Sequence, residues 1–359
     1  MKNDTKPLAL TINATSICNR GCTHCLSCAT MKKEIRFKTR WAKKIAKQAK
    51  QLGYLLNVTF TGGGETLLNP QLYELVSSIC SSGNCRRLAI VTSGFQNEKE
   101  RYLFRRILNR SFGHKIEYLL SFNLYSKKFP ERLQDTLREI ILHRRTVIAT
   151  IKMVFDLKNH LDTYWQLNDV ISKLEVEMGA AFDPVCIDYT DPTYRQFLHN
   201  WELLRDEYSE ENDELLTGDA ILLRYYYLMR SKHGKTLINF WPGFVGKHGR
   251  AKDNFSDQAF IRTRFECMHV LGKGQIQPKR KNGDAKFVID EDGKVFMECS
   301  CSYVNLSIGN VKKDSMKKLL MRRKILQNNL LKKILESDFK GKLSCELCAK
   351  VAKDNFDLD

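Results

Sequence analysis

The run Leu8-Ala-Leu-Thr-Ile-Asn-Ala14 is followed three residues later by Cys18-Asn-Arg-Gly-Cys22-Thr-His-Cys25. The first segment reads as a β-strand, and the second hangs a C-x3-C-x2-C loop on its C-terminal end. Parallel sheets and barrels carry their chemistry at that end of their strands, so the thiols stand where a site is expected. Three thiolates on a short loop bind three irons of a four-iron, four-sulfur cluster and leave the fourth iron open. Gly21 suits a loop that wraps a cluster, because such a path needs unusual backbone angles and close approach. A zinc site is the alternative, with Cys28 as a nearby fourth thiol, although zinc usually takes two C-x2-C pairs.

Downstream, strand-like runs alternate with helical periodicity. Phe37, Trp41, Ile45 and Ala49 mark one helix face, Leu56–Thr61 a strand, and 70–82 a helix with Asn69 as its cap and Pro70 in the first turn. Leu88–Thr92 is a strand, Glu98–Asn109 a helix, and Tyr118–Leu124 a strand. Phe129, Leu133, Leu137 and Ile141 mark the next helix, followed by a strand over Val147–Phe155, a helix over Leu161–Val176 and a strand near Phe182–Ile187. Strand and helix in alternation predict an α/β fold with a parallel sheet covered by helices. The second strand ends in Thr61-Gly62-Gly63-Gly64-Glu65-Thr66, where glycines permit close backbone approach to a ligand and Glu65 can hold a cationic amine.

Together these segments resemble the radical S-adenosylmethionine (radical SAM) enzymes. The cysteine triplet matches that family's defining motif, with His24 at the aromatic-type position before the last cysteine. Thr61–Thr66 looks like its GGE segment, which contacts the amino group of S-adenosylmethionine, and Ser121-Phe-Asn123 looks like its ribose-contacting segment. The resemblance covers roughly residues 8–190 and implies a partial (β/α)6 barrel. It also implies a cluster on Cys18, Cys22 and Cys25 that chelates S-adenosylmethionine. One electron then yields a 5′-deoxyadenosyl radical that abstracts a hydrogen atom from substrate. An electron donor such as flavodoxin or ferredoxin is the implied partner.

A second module begins near Phe265, with a hairpin signal at Asp292-Gly293 and a basic helix over Lys312–Lys333. Cys267, Cys299, Cys345 and Cys348 supply four thiolates, enough for a second cluster, with Cys301 as the rival to Cys299 and a zinc knuckle as the alternative. Asp292–Cys299, Ile308–Val311 and the Cys345-x2-Cys348 pair are similar to the SPASM/twitch extension, a β-hairpin plus helix that binds auxiliary clusters. Two departures stand out. The Gly293–Cys299 spacing is one residue longer than the family's, and no cysteine follows Cys348, so one auxiliary cluster is expected. The resulting division is 1–190 for the barrel, 191–264 for a connecting, substrate-contacting region, and 265–359 for the auxiliary module. Tyr225, Tyr226, Tyr227 and Trp241 carry the aromatic character of the middle region.

Two further residues are placed by the predicted strands. Cys186 on the sixth strand reads first as a core thiol; if it points into the barrel, its S–H can donate a hydrogen atom to a substrate radical, as an epimerase needs. Lys152, polar within an apolar run on the fifth strand, suits the carboxylate of S-adenosylmethionine or the substrate, or else a snorkelling surface position.

The chain has 359 residues, twelve cysteines and a formal net charge of +18, with 43% hydrophobic residues. That content excludes a mostly disordered chain, and no apolar run approaches the ~18 residues that span a bilayer. Lacking a signal-peptide core, the chain is expected to be cytoplasmic, where cysteines serve metals or redox chemistry more than disulfides. The expected activity is oxidation or epimerisation of a small carbohydrate or aminocyclitol-type precursor. The second substrate class is a ribosomally made peptide, crosslinked or epimerised. Because the triplet begins at residue 18, no leader-binding domain is expected ahead of the barrel, which favours the small molecule. The positive charge motivates a third reading, a cluster- or zinc-bearing RNA-binding or RNA-modifying protein, but no RNA-binding motif is visible.

Overall fold

The computed structural model describes residues 6–25, 27–32, 34–110, 116–122, 128–143, 147–155, 160–179, 182–184, 229–231, 237–244, 254, 285–297 and 307–336. The chain divides into two compact units. One comprises residues 1–19, 29–90 and 262–359; the other comprises 20–28 and 91–261.

The first unit is built on a sheet whose strands run β1 (Lys6–Asn13), β2 (Tyr54–Thr61), β3 (Cys85–Thr92), β9 (Ala285–Ile289), β10 (Lys294–Phe296) and β11 (Gly309–Asn310) in chain order. Their spatial order is β11-β10-β9-β1-β2-β3. The pairings of β1 with β2, β2 with β3 and β1 with β9 are parallel, and β10 is antiparallel to both β9 and β11. Alternation explains β1 and β2: Leu8, Leu10 and Ile12 on one strand and Leu56, Val58 and Phe60 on the other are buried. Helix α1 (Thr39–Gln51) buries Trp41, Ala42, Ile45, Ala46 and Ala49 and turns Lys43, Lys47 and Lys50 outward. Phe37 meets Trp41 edge-on at 5.3 Å, and each such large buried side chain contributes about 1.5–3 kcal/mol.

Helix α2 (Leu72–Cys80) starts later than the predicted 70–82. Asn69 is fully buried and serves two segments: its Oδ1 accepts from Gln71 N at 2.9 Å, and its Nδ2 donates to Ala14 O at 2.7 Å, just past β1. Strand β3 opens at Cys85, three residues ahead of the expected Leu88–Thr92, with Cys85 buried, and Cys80 ends α2 half-buried.

The hairpin predicted at Asp292-Gly293 is present. Gly293 adopts φ +86°, its N–H donates to Asp290 O at 3.0 Å, and Asp290 N donates to Lys294 O at 3.0 Å. Helix α6 (Met316–Glu336) carries the basic run. Side chains of α1 hold the approach to it: Lys44 Nζ donates to Val311 O at 2.7 Å and Asp314 O at 3.0 Å, and Gln48 Oε1 accepts from Met316 N at 2.9 Å. In the last case a side chain satisfies an N–H that a helix start leaves orphaned.

The second unit contains α3 (Glu98–Leu108), β4 (Ile116–Phe122), α4 (Phe129–Ile141), β5 (Ile148–Phe155), α5 (His160–Met178), β6 (Phe182–Pro184), β7 (Met229–Ser231) and β8 (Leu237–Phe244). Its strands lie in the order β4-β5-β8-β7-β6. Here the structure departs from the sequence reading. The parallel neighbour of β5 is β8, paired from Ile148–Leu237 to Phe155–Phe244, whereas β6 is antiparallel to β7. A parallel strand beside β5 suits the apolar run Leu237-Ile-Asn-Phe-Trp-Pro-Gly-Phe244, and Pro242 lies beyond the two residues that β7 pairs.

Among the described residues, no helix is long and apolar enough to cross a membrane.

Candidate functional site

In the first unit the segment after β1 is fastened on two sides. Ala14 N donates to Thr61 O at 2.8 Å, Ser16 N to Ile35 O at 2.9 Å and Cys18 N to Thr30 O at 3.3 Å. On the other side, Glu65 N donates to Ile17 O at 2.8 Å. The glycine run makes this approach possible: a Cβ on Gly64 would lie 2.0 Å from Ile17 O. Thr61, Gly62 and Gly64 are half-buried, while Gly63, Glu65 and Thr66 are buried. One Glu65 oxygen, Oε1, accepts from Leu67 N at 3.2 Å and caps the short 3-10 turn Thr66–Leu68. Thus the last peptide before the cysteine loop and the glycine-glutamate segment are one hydrogen-bonded construction at the C-terminal ends of β1 and β2.

Glu291, from the hairpin between β9 and β10, reaches the same strand ends. Its Oε2 accepts from Asn13 Nδ2 at 3.5 Å and would stand 3.0 Å from a Cβ on Gly63. No local pattern marks it, since the contact spans 278 residues of chain.

In the second unit, Cys22 and Cys25 are half-buried and free of disulfides, with Cys25 N donating to Cys22 O at 3.3 Å. Gly21 takes φ +66°, as its predicted role requires, and the exposed Cys28 takes φ +50°. Asn254 Nδ2 donates to Thr23 O at 2.9 Å. Burial pushes the His24 imidazole down to about 4, so it is neutral at neutral pH.

Ser121 and Lys152 are direct partners in the β4–β5 register, and Lys152 is in turn the partner of Trp241 on β8. Ser121 is half-buried and Lys152 exposed. The opposite face of β4 meets helix α3, where Tyr118 packs on Phe104 at 4.9 Å, so Ser121 and its register partner Lys152 lie on the face away from α3. On their face, Thr150 Oγ1 donates to Glu117 Oε1 at 2.6 Å, and both are buried. Asn123, Cys186, Cys267, Cys299, Cys301, Cys345 and Cys348 lie outside the described residues.

Among the described residues, no three His, Cys, Asp or Glu side chains converge as ligands of a single metal ion do. A four-iron cluster makes no such demand, because its thiolates sit on different irons and stand further apart. Half-buried cysteines free of disulfides, on a loop turned by a left-handed glycine, are a donor set that fits such a cluster.

Residues 12–119 match the family model of the radical SAM superfamily. That stretch, under a third of the chain, is similar to the radical SAM domain, and the parallel strands within it are consistent with that family's barrel. Streptococcus suis SuiB bound to S-adenosylmethionine is similar in fold at TM-score 0.51 and 14% identity, over 96% of this chain and 72% of that one. SuiB bound to its precursor peptide SuiA is similar at TM-score 0.50 and 12% identity, over 97% of this chain and 71% of that one. At such identities the likeness concerns the fold. None of the curated proteins matches the chain.

Proposed function

We propose that this protein is a radical SAM enzyme that abstracts a hydrogen atom from an unactivated C–H bond. The product would be a dehydrogenated or epimerised small carbohydrate or aminocyclitol-type compound. The observation that carries the reading is the bonded junction of Glu65 N with Ile17 O, which sets the GGGE segment beside the peptide that enters Cys18. Thiolates of Cys18, Cys22 and Cys25 would hold the four-iron cluster, and the chemistry that group would supply when bound is one-electron reductive cleavage of S-adenosylmethionine. Thr61, Gly62, Gly63, Gly64 and Glu65 receive the amino group through backbone and carboxylate. Ser121 and Asn123 hold the ribose, His24 packs as a neutral ring beside the cluster loop, and Lys152 holds a carboxylate of cofactor or substrate. Cys267, Cys299, Cys345 and Cys348 hold one auxiliary cluster, and a small electron-transfer protein of the flavodoxin or ferredoxin type supplies reducing equivalents. A ribosomally made peptide is the second substrate reading, and the precursor peptide carried by a SuiB structure of similar fold is what favours it.

Anaerobic reconstitution tests the chemistry. About eight irons per chain and reductant-dependent 5′-deoxyadenosine are expected, with about four irons and no 5′-deoxyadenosine when Cys18, Cys22 and Cys25 become Ala. A colourless zinc protein that makes no 5′-deoxyadenosine sinks the reading. Cys186 is proposed as the hydrogen donor of an epimerisation. In deuterated solvent, Cys186→Ala should then stop deuterium entering the product while 5′-deoxyadenosine still forms, and unchanged incorporation removes Cys186 from the site.

A further inference from the structure

Arg20 lies inside the cysteine triplet, between Cys18 and Cys22, yet its side chain is only 2% exposed. It is bonded within its own unit to the segment that opens α3. Nε donates to Ser93 Oγ at 2.9 Å, Nη1 to Gln96 Oε1 at 2.5 Å, and Nη2 to both Gly94 O and Glu100 Oε2 at 2.7 Å. Glu100, 3% exposed, completes an ion pair with it.

Two of the acceptors, Glu100 and the Gly94 carbonyl, are themselves fixed. Glu100 Oε2 also accepts from Gln96 N at 2.8 Å, and Glu100 Oε1 accepts from Asn97 Nδ2 at 2.9 Å. Asn97 Oδ1 in turn caps α3 by accepting from Glu100 N at 3.0 Å. Gly94 takes φ +84°, and a Cβ there would lie 2.5 Å from Thr136 Oγ1 and 2.9 Å from Arg132 O. The carbonyl that receives Nη2 therefore sits on a backbone that admits only glycine without strain.

Burying an ion pair is a poor route to stability, since an apolar pair of similar volume often does as well. A planar guanidinium with acceptors on all three of its nitrogens fixes position and orientation, which an apolar contact does not. Arg20 precedes the left-handed Gly21 and the Cys22–Cys25 turn, a segment with no strand or helix of its own among the described residues.

We infer that Arg20, clamped by Glu100, is a positioning residue for the cluster: it fixes the Cys22–Cys25 part of the loop in its ligating path before the cluster is loaded. The inference rests on the proposed cluster at Cys18, Cys22 and Cys25. Residues that orient metal ligands without touching the metal typically govern affinity by roughly ten- to a hundredfold, and that is the effect expected here.

The test uses the full chain, reconstituted anaerobically, as parent, as Arg20→Lys and as the double variant Arg20→Met/Glu100→Leu. The readout is the rate at which a chelator strips the cluster whose electron paramagnetic resonance signal responds to added S-adenosylmethionine. Circular dichroism and the thermal midpoint of the cluster-free protein are followed in parallel. Arg20→Lys keeps the charge but loses the fork, and the double variant removes both charges together and so keeps the fold. Both variants should lose that cluster roughly ten- to a hundredfold faster than the parent, with the double variant's midpoint near the parent's. A folded double variant that holds the cluster at the parental rate overturns the inference and leaves the pair a packing device. If the double variant does not fold, Arg20→Lys decides by the same rate. A parent with no S-adenosylmethionine-responsive signal is a different result, because it removes the proposed cluster itself.

Discussion

Gly64→Ala is expected to cut 5′-deoxyadenosine formation by roughly a hundredfold while leaving a folded but less stable chain. The added Cβ would stand 2.0 Å from Ile17 O, 2.5 Å from Ile17 C and 2.7 Å from Ile17 N. All three are backbone atoms, so no rotamer change relieves the contact. Either the glycine-glutamate segment or the peptide entering Cys18 must move, and the bonds from Glu65 N to Ile17 O and from Cys18 N to Thr30 O resist that shift. Overpacking of this kind costs about 1–3 kcal/mol, and a displacement near 1 Å at reacting groups costs on the order of a hundredfold in rate. Gly63→Ala is the informative comparison. Its Cβ meets Glu291 Oε2 at 3.0 Å, the far end of a flexible side chain that can swing aside. Single-turnover assays of the two variants, with denaturant unfolding alongside, separate the cases. Parental turnover in Gly64→Ala would mean that the close approach has no part in the site.

The sequence made the cysteine loop, the glycine-glutamate segment and the positions of the first five strands along the chain legible, because each is a local pattern. Buried alternation in Leu8-Ala-Leu-Thr-Ile announces a strand wherever its partners come from, and Asp292-Gly293 announces a turn from two residues. Partnership is another matter. Phe182-Asp-Pro and Leu237-Ile-Asn-Phe both form strands, and nothing in their local periodicity says which one lies parallel to β5. The Arg20–Glu100 pair is 80 residues apart and Glu291 reaches Asn13 across 278, so neither spacing has a period to read. A buried arginine in a cysteine loop carries no mark in the sequence, since arginine is ordinarily a surface residue. The first residues of β3 were obscured for the opposite reason: Ser82-Gly83-Asn84 signals a turn, and the strand begins at once with Cys85.

Phe104→Ala is expected to cost the second unit about 3–5 kcal/mol of stability. Its ring is fully buried and is held between Phe95, at 5.8 Å, and Tyr118, at 4.9 Å, both in tilted geometry. Truncation removes the transfer energy of the ring, leaves a cavity against β4, and breaks two aromatic pairs worth about 0.5–1.5 kcal/mol each beyond their area. Phe95 follows Gly94, whose carbonyl accepts from Arg20, so loosening this ring also loosens one wall of the Arg20 cradle. Tyr102, two residues earlier on the same helix, is 68% exposed and separates burial from side-chain size. Tyr102→Ala should stay within about 0.5 kcal/mol of the parent. Thermal unfolding of the cluster-free chain reads both, because 1 kcal/mol moves the midpoint of a domain of this size by roughly 2–4 °C. A drop of roughly 6–20 °C is thus expected for Phe104→Ala against 2 °C or less for Tyr102→Ala. Equal shifts would contradict the placement of Phe104 at the α3–β4 contact, since two aromatic rings of nearly equal size differ here only in what surrounds them.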